Sequence, residues 1–563
     1  MHPTRRLSAL AGAVLLILCV AWAPCGAAPA PAKAADAGYD AVFTKAFEPS
    51  GPGAAVVVVK DGQVVYRKAI GMASLELGVA LAPDMVFRLG SITKQFTAAA
   101  VMLLVEQGKL ALNDPIEKYL PGYPTQGHAI TIEHLLTHTS GIQSYTDIPG
   151  WMTGRIKTDM TVAELVDAFK KEPMQFAPGT AYRYNNSAYV LLGAIVEKAS
   201  GQTYAAFVSE RIFTPLGMSS SYYGSNGPVI AKRVQGYTRG GDAVANAQYL
   251  SMTQPYSAGS LVSTVDDLAR WDAALYTEKL LKRSSLERMW TSYTLANGKP
   301  TGYGYGFSLD TLRGRRAVAH GGGIHGFSTF GLRLPEDRVY VAVLCNSDSP
   351  KANPGYLARR LAAVAIGNPF PDPVETTVDP KVLSGHAGVY EIDKDTRRTV
   401  TVENGTLYTQ RTGGSRLEAK ASSDTEFFYE NSLTRVAFER DASGRTVAML
   451  LYPDGADQPE RAPRVADAAS GPVVATIDPA IYDAYVGEYE LGPNFVLTVT
   501  REGDRLMTQA TGQQKIEIFP LSETEFFPKV VDARILFVKG ADGKVGQLVL
   551  KQGGRDMPAR RIR

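Results

Sequence analysis

The stretch "FRLGSITKQFTAAAVMLLVEQGKL", residues 87–110, carries one charge, Lys94, between Ile92 and Val105. The run predicts a helix over 91–107 that is apolar nearly all round, and such a helix is buried. Ser91 follows Gly90 and is expected to open that helix, with Lys94 three residues on, on the same face. Burial penalises the charged amine, so Lys94 is expected to have a lowered pKa and to accept a proton near neutrality. Its ready donor is the Ser91 hydroxyl, whose oxygen needs activation before it attacks an acyl carbon. A helix N-terminus would stabilise negative charge at the same place. The competing account is a serine N-cap beside a snorkelling lysine. The pattern alone does not separate the two.

Two further stretches bear on the choice. "PGTAYRYNNSAYVLLGAIVEKASG" places Tyr184-Asn185-Asn186 ahead of a second apolar helix near 187–200, with Gly201 as its stop. "AVAHGGGIHGFSTF" places His320-Gly321-Gly322 at a strand edge. Tyr429-Glu430-Asn431 and His386-Ala387-Gly388 fit the same short patterns, but they fall in a different part of the chain.

Around these stretches the sequence predicts a mixed α/β domain. "AAVVVVK", Asp61-Gly62 and "QVVYRKAIG" form a hairpin over 54–73. Helical patterns recur at 162–171 and 265–276, strand patterns at 317–319, 327–334 and 338–345, and "NPGYLARRLAAVAI" reads as a closing helix. The domain is placed at 36–368, before the proline-rich "GNPFPDPVETTVDP". Behind it the chain repeats itself. "GVYE" at 388 returns as "GEYE" at 487, and the same offset of 99 residues aligns "TEFF" at 425 with 524 and "RVAF" at 435 with "RILF" at 534. Two duplicated modules, 376–466 and 476–563, are expected, each a small antiparallel barrel or sandwich. No catalytic set is common to both, so packing or substrate shaping is their expected role. At the positions matching Tyr429 and His386 the second copy has Pro528 and Tyr485.

The 563 residues have ordinary globular composition, 45 % hydrophobic and 20 % charged, and a net charge of +3 with no basic run. Nothing points to nucleic acid or an acidic lipid surface. Arg5 and Arg6, the charge-free segment Leu7 to Ala23 and the small residues of "PCGAAPAPAKAA" read as an export signal over 1–30. An uncleaved anchor is the alternative and the one route to a membrane. Export makes the protein periplasmic or secreted. Cleavage leaves Cys345 as the one cysteine, a buried thiol in "VYVAVLCN", with no disulfide and no zinc–cysteine site.

The order Ser-x-x-Lys, Tyr-x-Asn, His-x-Gly resembles the serine hydrolases related to class C β-lactamases, D,D-peptidases, D-aminopeptidases and family esterases. "ITIEHLLTHTSGI" at 130–142, "SAGSLVSTVDDLARW" at 257–271 and "YGYGF" at 303–307 are similar to the family as well. The resemblance covers roughly 40–366 and implies a β-lactamase/transpeptidase-like fold: an antiparallel sheet flanked by helices, plus a helical subdomain. The two β-modules resemble those of D-aminopeptidase-like members. The resemblance implies Ser91 as nucleophile, Lys94 as its proton acceptor, and Tyr184 as shared base and activator of the deacylating water. It implies Asn186 as holder of Lys94 and of the substrate amide, and the N–H groups of Ser91 and Gly323 as oxyanion hole. Gly321 and Gly322 would let a substrate backbone approach closely. His320 stands where most β-lactamases and carboxypeptidases carry lysine; it is at most partly protonated near neutrality, which removes a fixed carboxylate-binding charge.

No cofactor is expected, and the substrate is expected to be a small molecule or peptide. A peptidase or amidase is favoured, with esterase and β-lactamase as alternatives. A binding protein or receptor that is acylated without turnover is the alternative from another class. His134 and His138 are spaced as zinc ligands on a helix can be. They lack the intervening Glu of a zincin and a third ligand, which favours packing. No Gly-x-Ser-x-Gly elbow of an α/β-hydrolase occurs.

Overall fold

The computed structural model describes residues 32–563 apart from 241–242, 350–352, 395, 468–473, 493–494, 541 and 553–554. The segment read as an export signal, with Cys19 and Cys25, lies outside the described residues. Among them, no helix is long and apolar enough to cross a membrane.

The N-terminal half is built on a six-stranded antiparallel sheet. Its strands are β1 (Ala54–Lys60), β2 (Gln63–Ile70), β3 (Ser308–Leu312), β4 (Arg315–Ile324), β5 (Phe327–Leu334) and β6 (Val339–Cys345), in the order β3-β4-β5-β6-β1-β2. Ala54 through Val58 are all fully buried because β1 is covered on both faces, which is why it reads as an unbroken apolar run. Ala54, Val56 and Val58 face α1 (Ala32–Phe43) and α7 (Pro354–Ala365) through Phe43, Leu357 and Leu361. Ala55 and Val57 face the larger core with α2 (Thr93–Glu106) and α6 (Val265–Ala274). Each such valine contributes about 1.5–3 kcal/mol by leaving water. Asp61 and Gly62 both have positive φ, 51° and 74°, as a two-residue type I′ hairpin turn requires.

The remaining helices that matter to the site are α3 (Ile132–Leu136), α4 (Asn186–Ser200) and α5 (Tyr256–Gly259). The Asn185 side chain caps α4 by accepting the Ala188 N–H at 2.8 Å, and left-handed Gly201 ends it. Strand β3 pairs only with Arg315–Ala319 of β4, so the rest of β4, from His320 to Ile324, is an open edge on that side. That edge faces the turn bearing Ser91.

Two closed eight-stranded antiparallel barrels follow, over 388–466 and 487–561. Positions 99 residues apart make matching contacts. Tyr390 donates to the His386 carbonyl at 2.6 Å and Tyr489 to the Tyr485 carbonyl at 2.8 Å. The His386 ring stacks on Phe438 at 4.3 Å, and Tyr485 on Phe537 at 4.4 Å. A cleft of about 660 Å3 opens between the barrels, lined by Thr401, Arg416, Phe527 and Arg534 among others. It is lined by no serine, cysteine or histidine, so its volume marks a seam between modules and not the reactive centre described next.

Candidate active site

Ser91 sits in a single 3-10 turn, Gly90–Ile92, immediately before α2. No side chain caps α2, and its N-cap is Ile92. Ser91 is therefore not an N-cap, and its hydroxyl is left for other work. Gly90 takes φ +55, and a Cβ there would stand 3.0 Å from the Gly323 nitrogen, so the turn and the open edge of β4 run side by side. The backbone N–H groups of Ser91 and Gly323 belong to these two abutting segments.

Lys94, the second residue of α2 and one turn beyond Ser91, has no exposed surface. Its Nζ lies 3.1 Å from Ser91 Oγ, 2.9 Å from Asn186 Oδ1 and 2.9 Å from the Ala258 carbonyl oxygen. The last two atoms can only accept, so they take two amine protons. No carboxylate pairs with Lys94 among the described residues, and burial holds its pKa well below the ordinary lysine value. When the amine is neutral and donates to these two acceptors, its lone pair is left to take the proton of Ser91 Oγ, 3.1 Å away. This is the arrangement of a base beside a nucleophile.

Asn186 opens α4. Its Nδ2 donates to Thr146 Oγ1 at 3.1 Å, and its backbone N–H donates to Ser144 Oγ at 3.1 Å, which fixes the amide with its oxygen toward Lys94. Tyr184, two residues earlier, keeps 36 % of its surface open. Its ring centroid is 4.7 Å from Lys94 Nζ. Burial of the hydroxyl end raises the phenol's pKa, and a hydrogen bond with Ser91 works against that rise. The phenol is therefore protonated at rest.

His320 is 5 % exposed. Its Nδ1 is 2.6 Å from the Gly321 carbonyl oxygen, which only accepts, so Nδ1 carries the proton. Nε2, 2.9 Å from the Tyr303 hydroxyl, then accepts from it. Burial first, and Lys94 second, push the imidazole pKa down to about 3. Both nitrogens are committed and the ring is neutral, where the sequence allowed partial protonation. At Gly322 a Cβ would lie 2.0 Å from the Leu89 carbonyl oxygen, so glycine there also lets β4 pack on the Ser91 turn. Gly323 has open space beside it, and a Cβ at Gly321 would meet Phe330 at 3.3 Å.

The structure thus brings Ser91, Lys94, Tyr184, Asn186, His320 and Gly323 together. It adds the Ala258 carbonyl and the Tyr303 hydroxyl, which the residue patterns did not single out. A backbone carbonyl leaves no side-chain signature, whereas Tyr303 lies in the "YGYGF" stretch. His134 and His138 do not share a helix face, because α3 ends at Leu136. His134 Nδ1 accepts the Thr131 N–H in a capping box, and His138 lies beyond the helix with φ +59. Among the described residues no group of acids, histidines and cysteines is set to hold a metal ion.

Comparison with known proteins agrees with this geometry. Residues 40–366 match the Beta-lactamase family model, more than half of the chain, and the chain belongs to that family. Residues 471–561 match a domain of unknown function, DUF3471. The chain is 30 % identical over 427 residues to penicillin-binding protein 4* of Bacillus subtilis, covering 72 % of this chain and 93 % of that one. It is 27 % identical over 340 residues to a D-aminopeptidase of Gluconobacter oxydans, covering 60 % of this chain and 62 % of the relative. A D-stereospecific amidohydrolase from Streptomyces sp. superimposes with a TM-score of 0.50 at 29 % identity, over 59 % of this chain and 98 % of that one. The family is one of serine hydrolases with an acyl-enzyme mechanism, and D-aminopeptidases and penicillin-binding proteins are among its members.

Proposed function

We propose that the protein is an exported hydrolase, periplasmic or secreted, in which Ser91 forms an acyl-enzyme with amide or peptide substrates carrying a D-amino acid. The observation that carries this reading is Lys94 Nζ, fully buried, 3.1 Å from Ser91 Oγ and tied to two obligate acceptors. In the first half-reaction Ser91 Oγ bonds to the acyl carbon and its proton passes to the Lys94 lone pair. The N–H groups of Ser91 and Gly323 take the oxyanion, and the leaving amine departs with a proton relayed through Tyr184. In the second, water adds to the acyl carbon, its proton passes by way of Tyr184 to the base, and Ser91 Oγ recovers a proton as the acid leaves. Tyr184 works as a relay in both steps, because a phenol with a raised pKa is a poor resting base. Asn186 holds Lys94 and the substrate amide. The two barrels are taken as copies of one unit that packs against or shapes the substrate cleft.

The substrate class rests on His320. A lysine there would offer a permanent cation to a free carboxylate; a neutral ring with both nitrogens engaged offers none. That favours amides, esters and peptides held at the amino end over penicillins and D-Ala-D-Ala, and the same neutrality keeps an esterase reading open. The names of the D-aminopeptidase and D-stereospecific amidohydrolase relatives support the stereochemical part. The test is kcat/KM on D- and L-aminoacyl amides, D-Ala-D-Ala peptides, nitrocefin and short p-nitrophenyl esters, with Ser91→Ala as control. The reading expects D-aminoacyl amides to lead and Ser91→Ala to be inert while folded. Strong preference for nitrocefin, stable acylation without turnover, or an active Ser91→Ala would overturn it.

A further inference from the structure

His138 is fully buried, lies outside the set of groups assigned to the chemistry, and has a backbone that only a few residue types tolerate. At φ +59 it is left-handed, a conformation ordinary side chains avoid. Its carbonyl accepts the Arg183 N–H at 3.0 Å, and its Nδ1 accepts the Asn185 N–H at 3.0 Å. One residue thus binds the backbone on either side of Tyr184. Its ring also lies 4.3 Å from the Tyr184 ring, and 4.7 Å from the ring of Tyr303, which donates to His320. Because Nδ1 accepts, the neutral ring carries its proton on Nε2, and Nε2 is buried without a hydrogen-bond partner among the described residues. A buried orphan donor costs about 1–3 kcal/mol. A merely space-filling residue would be better apolar, so the acceptor on the opposite nitrogen is the reason for histidine.

Resting on the acyl-enzyme reading above, we propose that His138 is a positioning residue: its Nδ1 and carbonyl clamp residues 183 and 185 and thereby hold the Tyr184 phenol at Ser91. The groups facing it are Lys94 from α2, Tyr182 and Tyr184 from the loop before α4, Tyr189 from α4, Tyr303 and, from β4, His320. None is a carboxylate. Burial first, then Lys94 and His320, keep the His138 imidazole neutral, so the clamp does not loosen through protonation in the working pH range.

The experiment compares His138→Gly and His138→Asn with wild type. Both replacements tolerate a left-handed backbone, and Asn alone returns an acceptor near the Nδ1 position. Active sites are first counted by fluorophosphonate labelling of Ser91, then kcat, KM and the pH profile are measured per labelled site on a p-nitrophenyl ester. His138→Gly should lose about a hundredfold in kcat with KM changed less than threefold, and its pH limbs should move. His138→Asn should regain at least tenfold of that loss. A structural role alone would lower Tm and the labelled fraction but leave kcat per labelled site and the limbs at wild-type values, and that result overturns the proposal. If His138→Gly does not fold, His138→Asn decides: shifted limbs with a threefold to tenfold lower kcat support the clamp, and wild-type values overturn it. Failure of the wild-type protein to label at Ser91 would instead overturn the acyl-enzyme reading itself.

Discussion

The chain contains the same two short patterns twice, and the two settings differ in what the polar atoms are left to do. In the N-terminal domain, Tyr184 is open to the cleft and lies beside an unpaired buried lysine, and His320 is held neutral beside them. In the first barrel, the Tyr429 hydroxyl is 2.6 Å from Thr409 Oγ1 and accepts from Arg398 at 3.2 Å. His386 spans Thr446 Oγ1 and the Asp424 carbonyl and stacks on Phe438. There the Tyr429 hydroxyl and both His386 ring nitrogens are spent on holding strands together. In the second barrel Pro528 replaces the tyrosine and, among the described residues, the Thr508 hydroxyl has no partner, yet the barrel still closes, so this pair is not needed for closure. A motif becomes chemistry when its neighbours leave a lone pair or a proton unspent.

The largest expected effect is at Lys94. Lys94→Arg keeps a cation but cannot deprotonate, so kcat should fall about a thousandfold or more. In wild type, burial lowers the Lys94 pKa, so the amine is neutral above that value. Acidification protonates it, and kcat/KM should therefore decline on the acid side only from this group. A Lys94→Arg enzyme of near wild-type rate would make Lys94 a packing cation and erase the difference between the two settings.

Next is the matched tyrosine pair. Tyr184→Phe should cost about a hundredfold in kcat with little change in stability. Tyr429→Phe should leave kinetics unchanged and cost about 1–3 kcal/mol in denaturant unfolding, because Thr409 and Arg398 both lose a hydrogen-bond partner. Equal kinetic effects from the two would break the comparison.

His320→Lys sharpens it further. A charge-assisted contact adds about 1.5–3 kcal/mol where it forms. The kcat/KM ratio of a carboxylate-bearing substrate to its amide analogue should therefore rise about tenfold to a hundredfold. The smallest kinetic effect is expected at the other histidine: His386→Ala should lower Tm by several degrees through lost stacking and leave kcat within twofold of wild type.

Several parts of this organisation were legible in the sequence for plain physical reasons. The valine run, the Asp61-Gly62 pair and the strand pattern after it spelled a hairpin, and the structure has it. The apolar surroundings of Lys94 spelled a buried amine, and it is one. The β-patterns after residue 376 spelled small barrels or sandwiches, and they are closed barrels. What was not legible depends on backbone atoms or on partners distant in sequence. The Ala258 carbonyl that takes a Lys94 proton has no side-chain mark. The neutrality of His320 comes from burial and from Lys94, and its Nε2 is engaged by Tyr303 from across a hairpin, none of which the triplet itself displays. The packing of Gly322 against the Leu89 carbonyl, a second reason for glycine there, likewise depends on a backbone atom. His138, read by its spacing to His134, gained its meaning only when α3 proved too short to carry both.

The account stands or falls on a covalent bond at one oxygen. A p-nitrophenyl ester of a D-amino acid, mixed with the full chain and quenched in acid within the first turnovers, should give a burst of p-nitrophenol equal to the enzyme. Intact mass should rise by the acyl group, and the adduct should map to the peptide containing Ser91. No burst, or an adduct on any other residue, would contradict it.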